Sequence, residues 1–185
     1  KIILSVGRLV ERKGVDMTIR SLRVVKQTLP NVLYVVVGDG PYRQRLEAIA
    51  SEEHVTGMVK FVGRISDEEL VKFYNVCDLF IMASRTIAEK GDVEGYGIVF
   101  LEANACGKPV VGGKDGGMSE AIEDGVTGLL VDSHQTDKIA EGIIRILSDE
   151  RYARELGENG RRRVVESHNW GNAIGRYRSE ERRVG

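Results

Sequence analysis

The sequence is poor in the features that mark the more specialised classes of protein. No run approaches the roughly 20 consecutive apolar residues that a membrane-crossing helix requires, which excludes such a helix. The two cysteines, Cys77 and Cys106, show neither CxxC nor metal-ligand spacing, so there is no disulfide framework or zinc site to read. Both lie in apolar stretches and are expected to be small buried hydrophobes in a reducing compartment. His54, His134 and His168 are spaced for neither a metal nor a catalytic relay. Proline occurs only 3 times, and 42% hydrophobic against 30% charged residues excludes collagenous, low-complexity and disordered chains. Net charge is scarce too. A formal value of −1 offers no global attraction for nucleic acid, so an anionic ligand needs a local basic site.

What is present suits one domain, expected over residues 1–170, followed by a helical tail at 171–185. Short β-branched runs at 2–6, 33–37, 59–62, 79–83, 110–112 and 128–131 alternate with longer stretches of helical period. Several runs are apolar throughout, as strands covered on both faces must be. The alternation predicts an α/β fold, a Rossmann-like doubly wound parallel sheet of six strands. Val15, Ile19, Leu22, Val25 and Leu29 share a helical face, as do Tyr42, Leu46 and Ile49, and then Ile139, Ile143 and Ile146; all read as core. Ser66 followed by Glu69 forms a capping box that predicts a helix over 67–76. The chain opens in the strand-like run from Lys1 to Val6 without a signal peptide, which leads us to expect a cytoplasmic protein with residues removed upstream.

Ligands in such sheets sit beyond the carboxyl ends of the strands, where strand order reverses, so the loops after strands are the places to search. After the first strand, Gly7 and Gly14 frame a loop carrying Arg8, Arg12 and Lys13. An arginine fork and a mobile lysine charge suit a phosphate, although a basic loop is often merely solvated. The second loop, from Gly38 through Gly40 and Pro41 to Arg43, imitates a dinucleotide fingerprint but has Arg43 at the third glycine position; a plain turn with Pro41 in the first helical turn is the simpler reading.

Glu94 and Glu102 flank a glycine-rich helix start at Gly95, Tyr96 and Gly97. A helix beginning near Gly97 would leave the amides of Gly97, Ile98 and Val99 for an anion, with the carboxylates set to accept hydrogen bonds from hydroxyls. A buried Glu102 without such a partner would be costly. Gly112 to Glu120 forms another flexible loop whose backbone could approach a ligand. Arg161, Arg162 and Arg163 read as a solvated helical face, with contact to an anionic membrane as the sharper alternative.

Taken in order, Val6-Gly7-Arg8 with Lys13-Gly14, Val37-Gly38-Asp39-Gly40-Pro41, Phe61-Val62-Gly63-Arg64, the Glu94 and Glu102 pair, and the run from Gly125 to Val131 resemble the group 1 family of retaining glycosyltransferases. The resemblance extends from about residue 2 to residue 170. It implies the C-terminal, donor-binding half of a GT-B fold. Arg8 and Lys13 would then bind the donor diphosphate, Glu94 would contact the donor sugar, and Glu102 would hold the nucleotide ribose. Val62, Gly63 and Arg64 would lie near the base, with Gly7, Gly95, Tyr96, Gly97, Ile98 and Val99 near sugar and phosphate. The stretch from Ser84 to Gly107 is similar, more narrowly, to phosphatidylinositol mannosyltransferases, whose donor is GDP-mannose. A separate N-terminal domain would supply the acceptor site, peripheral membrane contact would follow, and neither a metal nor another cofactor is expected. The tail after Trp170 departs from the family pattern. Alternatives are a nucleotide-sugar epimerase of the same fold and a non-catalytic nucleotide-sugar-binding module; an NAD-dependent oxidoreductase is disfavoured by Arg43.

Overall fold

A computed structural model describes residues 1–87, 97–115 and 117–167. The expected tail at 171–185, His168, Trp170 and three candidate site residues, Glu94, Gly95 and Tyr96, lie outside them.

The apolar runs form strands β1 (Ile2–Val6), β2 (Leu33–Val37), β3 (Val59–Gly63), β4 (Leu79–Met82), β5 (Val110–Gly113) and β6 (Gly128–Val131). They pair in the order β3-β2-β1-β4-β5-β6, all parallel. Three strand ends differ by one residue from the sequence expectation, each for a local reason. β3 reaches Gly63 because a register shift at Val36/Val37 lets Gly63 pair with Val37. β5 reaches Gly113 because that residue pairs with Val131. β4 ends at Met82, where the chain leaves the ladder to pack on another loop.

Helices α1 (Val15–Thr28), α2 (Arg43–Glu52), α3 (Asp67–Val76), α4 (Ile98–Ala105), α5 (Met118–Ala121), α6 (Thr136–Ser148) and α7 (Glu150–Ser167) complete the elements. One core cluster unites the buried faces of α1, α2 and α6 with alternate residues of the sheet, among them Ile3, Val36, Leu79 and Ile81. The other unites α3, α4 and α5 with Leu4, Val35, Phe80 and Met82. The alternation of strand side chains thus supplies both layers, and each large apolar side chain fully buried contributes about 1.5 to 3 kcal/mol. Helix α3 starts with the expected capping box, Ser66 Oγ accepting from Glu69 N while the Glu69 carboxylate accepts from Ser66 N. Pro41 is not in the first turn of α2. It holds the second position of a turn closed by Arg43 N–H on Gly40 C=O at 3.2 Å, where its fixed φ is equally suited.

The order reverses between β1 and β4, adjacent strands whose continuing chains run to opposite sides of the sheet. The crevice of a doubly wound fold opens at this point, beyond the carboxyl ends of β1 and β4.

Candidate functional site

The loop after β1 is held by its neighbours. Gly7 N–H donates to Val37 C=O at 3.0 Å and Leu9 N–H to Asp39 C=O at 3.0 Å. A Cβ on Gly38 would stand 2.0 Å from Gly7 O, and one on Gly40 would stand 2.3 Å from Leu9 O. The glycines that imitate a dinucleotide fingerprint therefore exist so that two loops can touch. Arg43, where the third glycine was wanting, lies over the Phe61 ring at 5.6 Å and pairs with Glu47 at 3.0 Å. Past Leu9 the chain makes one 3-10 turn, Glu11–Lys13, and reaches Gly14 at φ 69°, the left-handed N-cap of α1. Lys13 folds back over the loop, with Cε 3.8 Å from where a Cβ on Gly7 would be. Arg8 is exposed, and both cations line a narrow crevice with Gly7, Val37 and Met82.

Sequence reading missed the clasp that joins this loop to the chain leaving β4. Arg85 donates from Nη1 to Asp16 Oδ1 at 2.9 Å and from Nη2 to Asp16 Oδ2 at 2.8 Å, with Asp16 in the first turn of α1 and both residues buried. Arg85 N–H also donates to Arg12 C=O at 2.9 Å, and a Cβ on Gly14 would stand 1.8 Å from Ala83 O. Burial works against the charge on Arg85, but hydrogen bonds and attraction from Asp16 more than offset it, and its pKa is held above the ordinary value. The partners are 69 residues apart. The one local signal was a carboxylate between Val15 and Ile19 on a face otherwise destined for the core.

After β4, α4 starts at Ile98 with Gly97 as its N-cap at φ 70°. Gly97 has no side chain with which to cap this end, and a Cβ on it would lie 2.8 Å from the buried Phe100 ring. The first-turn amides thus emerge from a glycine that cannot carry a side chain, the arrangement by which helix N-termini receive anions. Ile98 is exposed and Val99 half-buried. Glu102, one turn further on, is exposed, so the cost of a buried carboxylate without a partner does not arise. It already has a partner: Tyr74 Oη on α3 donates to Glu102 Oε2 at 2.7 Å. At the end of β3, Gly63 has φ 85° and its carbonyl accepts Gly38 N–H at 2.7 Å, beside half-buried Val62 and exposed Arg64.

Residues 1–163 match the family model described as glycosyl transferases group 1. The chain belongs to this family. It is 40% identical over 169 residues to a GDP-mannose-dependent alpha-(1-6)-phosphatidylinositol monomannoside mannosyltransferase of Mycolicibacterium smegmatis, covering 91% of the chain and 44% of that protein. The group 1 domain superposes on sucrose-phosphate synthase from Thermosynechococcus elongatus with a TM-score of 0.86 at 32% identity, over 99% of the chain and 45% of that structure. It also superposes on Anabaena HepE in complex with UDP and glucose, with a TM-score of 0.82 at 26% identity, over 100% of the chain and 48% of that structure. The chain thus spans a little under half the length of these proteins and has the fold of one half of a GT-B glycosyltransferase.

Two readings of sequence are corrected elsewhere in this group 1 domain. Gly112 and Gly113 answer to packing: a Cβ on Gly112 would lie 2.5 Å from Ile122 Cδ1, and one on Gly113 would lie 2.0 Å from Ser84 O. The arginine triplet is not a wholly solvated face. Arg161 donates to Ala105 C=O at 2.6 Å, and Arg163 to Ala121 C=O and Glu120 C=O, each at 2.7 Å. These cations cap the C-terminal ends of α4 and α5. Helix α7 comes that close to α4 because Gly160 faces Asn104 and Gly157 faces Gly107. A groove of about 450 Å³ between β6 and α6 is lined by Leu130, Lys138 and Arg145. It follows the outer edge of the sheet, two strands from the crevice, so size does not locate the site here. Among the described residues no His, Cys, Asp and Glu gather in a group suited to a metal ion.

Proposed function

We propose that this chain is the donor-binding half of a retaining, metal-independent glycosyltransferase that takes a nucleotide-diphospho-sugar, with GDP-mannose favoured. What supports the reading is topology: the cationic loop follows β1, the chain leading to the glycine-started α4 follows β4, and strand order reverses between these two adjacent strands. A pyrophosphate there would meet the Arg8 fork, the Lys13 ammonium and the first amides of α4. The backbone that carries Arg8 and Lys13 is held by its contacts with the neighbouring loop, and groups in place before the donor arrives stabilise a departing diphosphate most effectively. Glu102 would hold the ribose, Glu94 the donor sugar, and Val62, Gly63 and Arg64 would face the base. GDP-mannose is favoured because the mycobacterial relative uses it. An acceptor domain would complete the catalyst, and the domain alone would bind donor without transferring it. Arg161 and Arg163 are engaged in the fold, so contact with the cytoplasmic membrane surface would fall to the acceptor-binding part of the protein.

Calorimetric titration with GDP-mannose, UDP-glucose, UDP-N-acetylglucosamine and ADP-glucose tests this directly. One sugar nucleotide should bind well above the others, and binding should survive EDTA. Lys13→Ala should weaken every nucleoside diphosphate alike, whereas Glu94→Ala should weaken sugar nucleotides more than the bare diphosphate. Equal losses in both series, or no binding to any of the four, contradicts the reading. In the full-length protein, release of nucleoside diphosphate should depend on an added acceptor.

A further inference from the structure

Glu102 is an exposed side chain, and ligand recognition through a carboxylate rewards one fixed rotamer. Ordering a long side chain upon binding lowers affinity by about threefold to tenfold. The fold has an answer to this cost. Tyr74 is 2% exposed, on the buried side of α3, and its ring packs 5.7 Å from Phe80, which in turn meets Phe100 of α4 edge-on at 5.4 Å. This file of three rings ties α3 to β4 and to the first turn of α4. The phenol therefore has no freedom of its own, and its hydroxyl leaves the core at one point, 2.7 Å from Glu102 Oε2. An apolar side chain would have packed there without exposing a hydroxyl.

We infer that Tyr74 is a positioning residue for the donor: its buried hydroxyl locks the Glu102 carboxylate so that Oε1 is presented to the vicinal hydroxyls of the nucleotide ribose. This rests on the proposed role of Glu102 in holding the ribose. A carboxylate accepts at both oxygens, so a phenol on Oε2 leaves Oε1 and a further lone pair for a diol. Glu102 is itself unable to donate when ionised, and the ribose hydroxyls supply the donors. The hydrogen bond also acts on the phenol. Burial first, then the bond and the charge of Glu102, hold Tyr74 above its ordinary pKa, so it remains a donor throughout the working range.

The test compares GDP with 2′,3′-dideoxy-GDP, binding measured by calorimetry for wild type, Tyr74→Phe, Glu102→Ala and the double variant. Wild type should prefer GDP by about tenfold or more, as expected when a carboxylate loses its hydroxyl partners. Tyr74→Phe should weaken GDP by about threefold to tenfold, the cost of ordering one side chain, and leave dideoxy-GDP unchanged. Glu102→Ala should abolish the preference, and adding Tyr74→Phe to it should change nothing further, because Tyr74 acts only through Glu102. Since Glu102 is solvent-exposed, its freed oxygen finds water and Tyr74→Phe leaves no buried unpaired group, so the variant retains its fold. Equal weakening of both nucleotides by Tyr74→Phe, or an undiminished effect in the Glu102→Ala background, overturns the positioning role while leaving the ribose role intact. A preference that survives Glu102→Ala overturns the ribose role, and this inference with it.

Discussion

Two clusters of cations in this chain look alike as text and have opposite fates in the fold. Arg8, Arg12 and Lys13 follow a strand and sit in a loop of close backbone contacts, where Arg8 and Lys13 line a narrow crevice and Arg8 is exposed. Arg161, Arg162 and Arg163 lie on α7, where two of the three side chains spend their donors on the last carbonyls of α4 and α5. Charge density distinguishes nothing between them. What distinguishes them is whether each cation faces a crevice or meets the end of a neighbouring helix, and that depends on packing partners distant in sequence. Arg85 is the limiting case, a cation wholly taken into the interior so that the first cluster keeps its place.

The comparison breaks most visibly at that clasp. Arg85→Met should leave Asp16 buried and unpaired and lower stability by about 3 to 5 kcal/mol, read as a fall in the urea midpoint at constant slope. Arg8→Ala should cost about 1.5 to 3 kcal/mol in nucleoside diphosphate binding, roughly tenfold to a hundredfold in Kd, with the urea midpoint unmoved. Arg163→Ala should show the mirror image: a stability loss of about 1.5 to 3 kcal/mol with nucleotide affinity unchanged. If Arg163→Ala weakens nucleotide binding as much as Arg8→Ala does, the division between the two clusters fails.

A smaller effect is expected at the start of α3. Ser66→Ala removes the side-chain half of the capping box and should lower stability by about 1 kcal/mol. The box also has a pH signature. Hydrogen bonds from the backbone N–H and then the hydroxyl of Ser66 hold Glu69 below the usual carboxylate range. Its contribution is therefore present above the unfolded-state value near pH ~4.3 and is lost as pH falls through the lower folded value. The gap between wild type and Ser66→Ala should narrow on acidification in that window. Arg162→Ala should change stability by about 0.5 kcal/mol or less, as ordinary surface substitutions do.

Strands were legible because each is apolar enough to be buried from two sides, and β1, β2 and β6 coincide with the expected runs. The capping box and α3 were legible because both partners of each bond are three residues apart. The start of α4 at Ile98, with Gly97 before it, was legible because glycine is the residue that tolerates a left-handed turn. The Tyr74 to Glu102 bond and the Asp16 to Arg85 clasp were not, because their partners are 28 and 69 residues apart and meet only after the sheet has formed.

The sequence by itself determined the secondary elements, their parallel arrangement and the family, since local propensity, capping and alternation of polar and apolar residues are short-range properties written in adjacent letters. Tertiary structure decided which cations face the crevice, which fingerprint-like glycines serve only close packing, and how a buried phenol reaches an exposed carboxylate. Those outcomes depend on the order β3-β2-β1-β4-β5-β6, which places residues from distant stretches of chain beside one another. Such juxtapositions arise from the sheet's long-range pairing, which no short stretch of residues encodes.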